Sequence, residues 1–114
     1  MAFKDYKIKS RIWIDGKQGT FLAEGRIALL KEIIVSGSIS GAAKQMNMSY
    51  KKAWEMINTM NKSAEQPLVV RISGGAGGGG TQVTDEGLKM IQLFEKLNKK
   101  CQVYLDKELE KIFG

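Results

Sequence analysis

Ser49, Tyr50, Lys51, Lys52 and Trp54 put a hydroxyl, a phenol, two ammonium groups and an indole into the short run SYKKAW. Nothing in this group suggests bond-making chemistry. The chain contains no histidine and a single cysteine, Cys101, so histidine acid–base catalysis and histidine metal sites are excluded. Nor do its carboxylates form a pair in a plausible cleft. Hydrogen bonding and positive charge at one place suit recognition of an anionic, polar-edged partner instead. The chain as a whole agrees: net charge is +6 and the pI is about 9.5, which favours nucleic acid first and a membrane surface second.

For these groups to act together they must stand on one helix with a fixed support. Ser49 is suited to cap such a helix, because its hydroxyl can accept a free amide of the first turn. The helix then runs over 49–64, before Pro67 forces extended backbone at Gln66. Ala53, Ile57, Met60 and Ala64 recur at spacings of four, three and four, which is one helix face. Tyr50, Lys51, Trp54, Glu55 and Asn58 are left for other faces. Just upstream, Ser40 is read as the N-cap of a short helix over 41–46. Ala42 and Ala43 permit close approach, and Asn47 closes the turn in the left-handed conformation. With Ile39, Met46 and Met48 the two helices have a small core. This is a helix-turn-helix, whose second helix enters the major groove with its N-terminal end on the bases. On this stretch alone, two amphipathic helices of a small bundle are the alternative.

The flanking sequence favours the first reading. Residues 68–72, LVVRI, read as a strand and 81–83, TQV, as its return, joined by GGAGGGG at 74–80, six glycines in seven residues. Two strands and a flexible loop after a recognition helix make a wing. Its glycines, Gly75, Gly77 and Gly78 among them, let backbone amides approach phosphate, with Arg71 at the base. A plain flexible linker is the alternative. A Walker-type nucleotide loop is rejected, since it requires GxxxxGK[ST] and Thr81 here follows glycine without a lysine. A dinucleotide loop is rejected because a strand, rather than a helix, follows the glycines.

Upstream of the motif, residues 7–14, KIKSRIWI, read as a strand, Asp15-Gly16 as a turn and residues 20–22 as the returning strand of a β-hairpin. Trp13 is expected to pack rather than to stack on bases. A helix over 24–36 buries Ile27, Leu30 and Ile34 with Ile33, and Gly37 caps its end. Downstream, Thr84 caps a final helix over 85–113, with Asp85 and Glu86 at its positive end and Gly87 as a local weakness. Phe94, Leu97, Cys101, Leu105, Leu109 and Ile112 form its apolar stripe, which this small domain is too short to cover. They are the expected dimerisation residues; folding back onto the chain's own core is the alternative.

The fold class expected is therefore mainly α with a small β component. It is a winged helix-turn-helix over 1–114 with an N-terminal β-hairpin and a long C-terminal dimerisation helix, 84–113. A lone cysteine excludes a disulfide within the chain and fits a reducing compartment. No apolar run approaches the ~18 residues of a membrane span, and MAFKDYKIKS lacks the apolar middle of a signal peptide. A cytoplasmic protein is expected.

The segments GRIALLKEIIVSGSISGAAKQMNMSYKKAWEMINTMN, PLVVR and GGAGGGGTQVT resemble the N-terminal DNA-binding domain of the ModE family of molybdate-dependent regulators, itself similar to that of LysR-type regulators. The resemblance covers about residues 10 to 95. It implies DNA reading by Ser49, Tyr50, Lys51 and Trp54, a wing approach by Arg71 and residues 74–80, and dimerisation through the long last helix. The sequence departs from the family in three ways. The molybdate-binding repeats are expected to be absent, so that neither cofactor nor molybdate is expected on this chain. Ala76 stands where several relatives have lysine. The front end is a strand hairpin rather than a leading helix. Together these point to a homodimeric, sequence-specific transcriptional regulator on a palindromic site of double-stranded DNA, and not to an enzyme. The alternative is a protein- or RNA-interaction module on the same fold.

Overall fold

The computed structural model describes residues 5–75 and 78–114. Along the chain the elements are β1 (Trp13–Gly16), β2 (Gly19–Ala23), α1 (Glu24–Ser36), α2 (Ile39–Gln45), α3 (Tyr50–Ser63), β3 (Val69–Gly75), β4 (Gly78–Val83) and α4 (Asp85–Phe113). The strands form two separate antiparallel pairs, β1 with β2 and β3 with β4. This is the winged helix-turn-helix expected, with a hairpin in front and a 29-residue helix behind.

Helix α1 is the centre of the core. Leu29, Leu30 and Ile33 are fully enclosed, together with Met60 of α3 and Leu68 ahead of β3. The helix packs against β2, α2, α3, β4 and α4. Five neighbours rather than one set its buried arc, so Leu29 lies inside while Ile34, expected inside, is half exposed. Its end is fixed by Gly37, whose φ of 73° is the left-handed conformation that glycine adopts without penalty. The Gly37 amide donates to the Ile33 carbonyl at 2.8 Å, and its own carbonyl accepts the Thr81 amide of β4 at 2.9 Å. One residue thus stops α1 and ties it to the wing.

Because Gly37 turns the chain so sharply, Ser38 is left extended, and Ser38 rather than Ser40 caps α2. Its Oγ accepts the Gly41 amide at 3.0 Å, the helix starts two residues earlier than expected, and Ser40 lies within its first turn. Asn47 does take the left-handed conformation, with φ of 53°.

The front end differs from expectation. The strand begins at Trp13 rather than at residue 7, and the turn falls at Lys17-Gln18, where Gly19 supplies a φ of 117°. A bulge lies between Ile14 and Asp15. Residues 5–12 form no strand; at Ile8 the backbone carbonyl accepts the Gln102 side-chain amide of α4 at 2.9 Å. Trp13, expected to pack, is 61% exposed. Ile12, just ahead of the strand, packs partly against the core, while Trp13 and Ile14 of the strand are both exposed.

Gly87 is no weakness. A Cβ there would lie 2.5 Å from the Leu68 carbonyl oxygen and 2.6 Å from a Val83 methyl. Its missing side chain is what lets α4 close against the base of the wing. Ile91 and Phe94, one and two turns further on, are buried in the same core. Phe94 is only 4% exposed, so it belongs to the interior of the domain and not to the outward stripe where it was expected.

Candidate nucleic-acid interface

The start of α3 is built by two short devices. The turn closes when the Met48 amide donates to the Ala43 carbonyl at 3.0 Å, and Ser49 then caps α3 by accepting the Lys52 amide at 3.0 Å. Ala53, Ile57 and Met60 are buried as their spacing predicted, and Ala64 packs partly against them. The opposite face repeats the same four-three-four spacing with Lys51, Glu55, Asn58 and Lys62. Lys51, Glu55 and Lys62 are exposed and Asn58 half-buried. Lys52 lies about 100° round the helix from Lys51, exposed on the flank nearer the hairpin. The two lysines therefore do not share a face.

Tyr50 and Trp54, both half exposed, occupy the other flank, beside the wing. Trp54 lines a narrow cleft with Asn58, Asn61 and Arg71. The Arg71 guanidinium donates to the Tyr50 hydroxyl at 3.4 Å, bringing the first residue of α3 to the wing strand. Ser40 is near them: it lines a shallow polar cleft of about 360 Å³ with Tyr50, Arg71 and Thr81. The structure thus gathers Ser40, Ser49, Tyr50, Lys51, Trp54 and Arg71 around one end of the motif. Gly75 and Gly78 pair with each other at the far end of the wing strands. Gly77 and Ala76 lie outside the described residues.

Two contacts that position the wing had little signal in the sequence. Asn61 clamps the wing to α3: its side-chain oxygen accepts the Leu68 amide at 2.8 Å and its nitrogen donates to the Val69 carbonyl at 3.0 Å. Thr84 holds the same segment from the other side, donating to the Pro67 carbonyl at 2.7 Å while capping α4. An asparagine beside a proline break hints at the clamp; nothing local identifies its acceptor. Arg26 of α1 donates to the Met56 carbonyl of α3 at 3.0 Å, and burial lowers its pKa from the ordinary guanidinium value. It braces α3 from behind, with no carboxylate partner among the described residues.

On α4 beyond Phe94, Leu97 is half exposed, Cys101, Leu105 and Leu109 are partly covered, and Ile112 is 71% exposed. Among the described residues no helix is long and apolar enough to cross a membrane, and no cluster of acidic or cysteine side chains could hold a metal ion.

The curated relatives match this chain over only part of their own length. A ModE protein of Azotobacter vinelandii, described as a molybdenum transport protein, is 45% identical over 103 residues, which is 90% of this chain and 38% of the relative. The ModE of Escherichia coli K12, a DNA-binding transcriptional dual regulator, is 49% identical over 81 residues, 71% of this chain and 31% of that protein. MopA of Rhodobacter capsulatus, a molybdenum-pterin-binding protein, is 45% identical over 69 residues, 60% of this chain and 26% of its own. The chain therefore spans roughly a third of the length of the relatives it matches. Residues 25–88, from the first turn of α1 through the wing to the first turn of α4, match the profile of the bacterial regulatory helix-turn-helix proteins of the lysR family. That match takes in more than half of the chain, and with it this ModE-like protein belongs to the lysR family of bacterial regulatory helix-turn-helix proteins.

Proposed function

We propose that the chain is the DNA-binding part of a sequence-specific transcriptional regulator that acts as a homodimer on a two-fold symmetric site. The observation that carries the reading is the second face of α3. A helix that buries Ala53, Ile57 and Met60 still offers Lys51, Glu55 and Lys62 exposed in one row with the half-buried Asn58, and Arg71 lies beside Asn58. In this reading Ser49, Tyr50, Lys51 and Trp54 stand at the major groove with the helix N-terminus. Lys52, Ser40, Arg71 and the glycines Gly75, Gly77 and Gly78 face the phosphates, which fix register rather than sequence.

Dimerisation is assigned to Leu97, Cys101, Leu105, Leu109 and Ile112 of α4. An isologous pair presents the same stripe to itself and sets two recognition helices roughly 34 Å apart, or a multiple of that. Two of these relatives are named for molybdenum transport or molybdenum-pterin binding; DNA binding and regulation alone are proposed for this chain. Selection of bound sites from random duplex DNA, followed by titration of the selected site at several salt concentrations, tests the reading. Recovery of an inverted repeat with a steep salt dependence is expected. Enrichment of no duplex sequence by the full chain overturns it.

A further inference from the structure

Glu55 has the least expected charge on this surface. It stands between Lys51 and Asn58 in the polar row of α3, on a chain with 18 basic and 12 acidic residues. Lys51 precedes it by one helical turn, a spacing that permits an ion pair. Yet among the described residues the ion pair that forms is Lys31 with Glu95, far from this face. The Glu55 backbone carbonyl accepts the Thr59 hydroxyl at 2.9 Å, while its carboxylate has no hydrogen-bond partner among the described residues.

An ionised carboxylate only accepts hydrogen bonds. Phosphate oxygens are acceptors as well, so Glu55 gains nothing from the DNA backbone and is repelled by it. The donors in the major groove are the exocyclic amines of cytosine and adenine. Adenine carries the acceptor N7 beside its amine, which repels a carboxylate; cytosine presents its amine without an adjacent acceptor. Resting on the DNA-binding role proposed above, we propose that Glu55 is a specificity-determining residue that accepts a hydrogen bond from a cytosine N4 amine in each half-site. Where that amine is absent, the unpaired carboxylate weakens binding. The residue therefore acts by rejecting wrong sequences as much as by holding the right one.

Site selection with the full chain and with Glu55→Gln tests this. A glutamine amide can both donate and accept, which suits adenine N6 and N7. At one base pair per half-site the preference is expected to move from cytosine to adenine, by about tenfold in relative affinity, roughly 1.4 kcal/mol. Affinity for non-cognate duplex should rise, while the salt slope, set by phosphate contacts, stays the same. Glu55→Asp, with a shorter reach, should lose the cytosine preference without gaining adenine. If wild type selects a site and both variants keep its base preference at every position, the inference fails and the DNA-binding reading stands. If wild type selects no sequence, both fail together.

Discussion

Helices α3 and α4 are both amphipathic, but the domain treats them differently. In α3 the apolar face is consumed by the core, and what remains outside is a polar row of lysines, a glutamate and an asparagine. In α4 the core covers only the first turns, through Gly87, Ile91 and Phe94, and the apolar side continues past it to Leu97, Leu105, Leu109 and Ile112. A helix of 29 residues is about 43 Å long at ~1.5 Å per residue, against cross-sections of 28 and 22 Å for the chain's shorter axes. The same periodicity thus yields two kinds of surface. One is a polar row suited to base edges and phosphates; the other is an apolar stripe suited to a second copy.

The largest expected effect tests the second surface. Truncation after Lys96 should leave a folded monomer by light scattering, because Ile91 and Phe94 are retained. DNA affinity at fixed salt should fall ~10²–10⁴-fold, since the linked second half-site is lost. A truncated protein that stays dimeric and binds tightly would transfer the dimer role elsewhere, with the exposed hairpin around Trp13 the first place to look. Next, Phe94→Ala should cost ~3–5 kcal/mol in denaturant unfolding, the range for emptying a buried aromatic site. Ile112→Ala in dilute protein should stay within about 0.5 kcal/mol. Equal losses at both positions would erase the boundary drawn between the covered and uncovered parts of α4.

Smaller effects sharpen the picture. Gly87→Ala should destabilise by ~1–3 kcal/mol, as overpacking does, because a Cβ there collides with the Leu68 carbonyl oxygen. Unchanged unfolding would mean that helix and wing separate easily. Lys51→Ala should leave stability intact and lower the logarithmic salt slope of DNA binding by about one if Lys51 meets phosphate. If it reads a base, sequence preference should relax instead. Neither change, in salt titrations of the selected site, would remove Lys51 from the interface.

Much of this was legible because it depends on neighbours a few residues away. The caps at Gly37, Ser49 and Thr84, the turn at Asn47 and the buried face of α3 all follow from local backbone and side-chain preferences. Lys51, Glu55 and Asn58 were left for the other faces of α3 together with Tyr50 and Trp54; the row that the first three form with Lys62 was separated from those two only by the structure. The cap of α2 was misplaced because two serines compete there, and only the direction in which Gly37 sends the chain selects Ser38.

By itself the sequence determined the order of helices and wing, the basic balance and the two amphipathic periods. Each of these is fixed by residue type at short range. Only the tertiary structure decided that Phe94 is interior, that Trp13 faces out, that Leu29 displaces Ile34 and that Gly87 is a contact point. Burial depends on which surface arrives from a distant part of the chain. The alignment of the wing with the recognition helix is of the same kind. It rests on Asn61 meeting Leu68 and Val69, on Arg71 meeting Tyr50, and on the Gly37 carbonyl meeting the Thr81 amide. A periodic pattern can say which face is apolar, but it cannot say where along a long helix the covering surface ends.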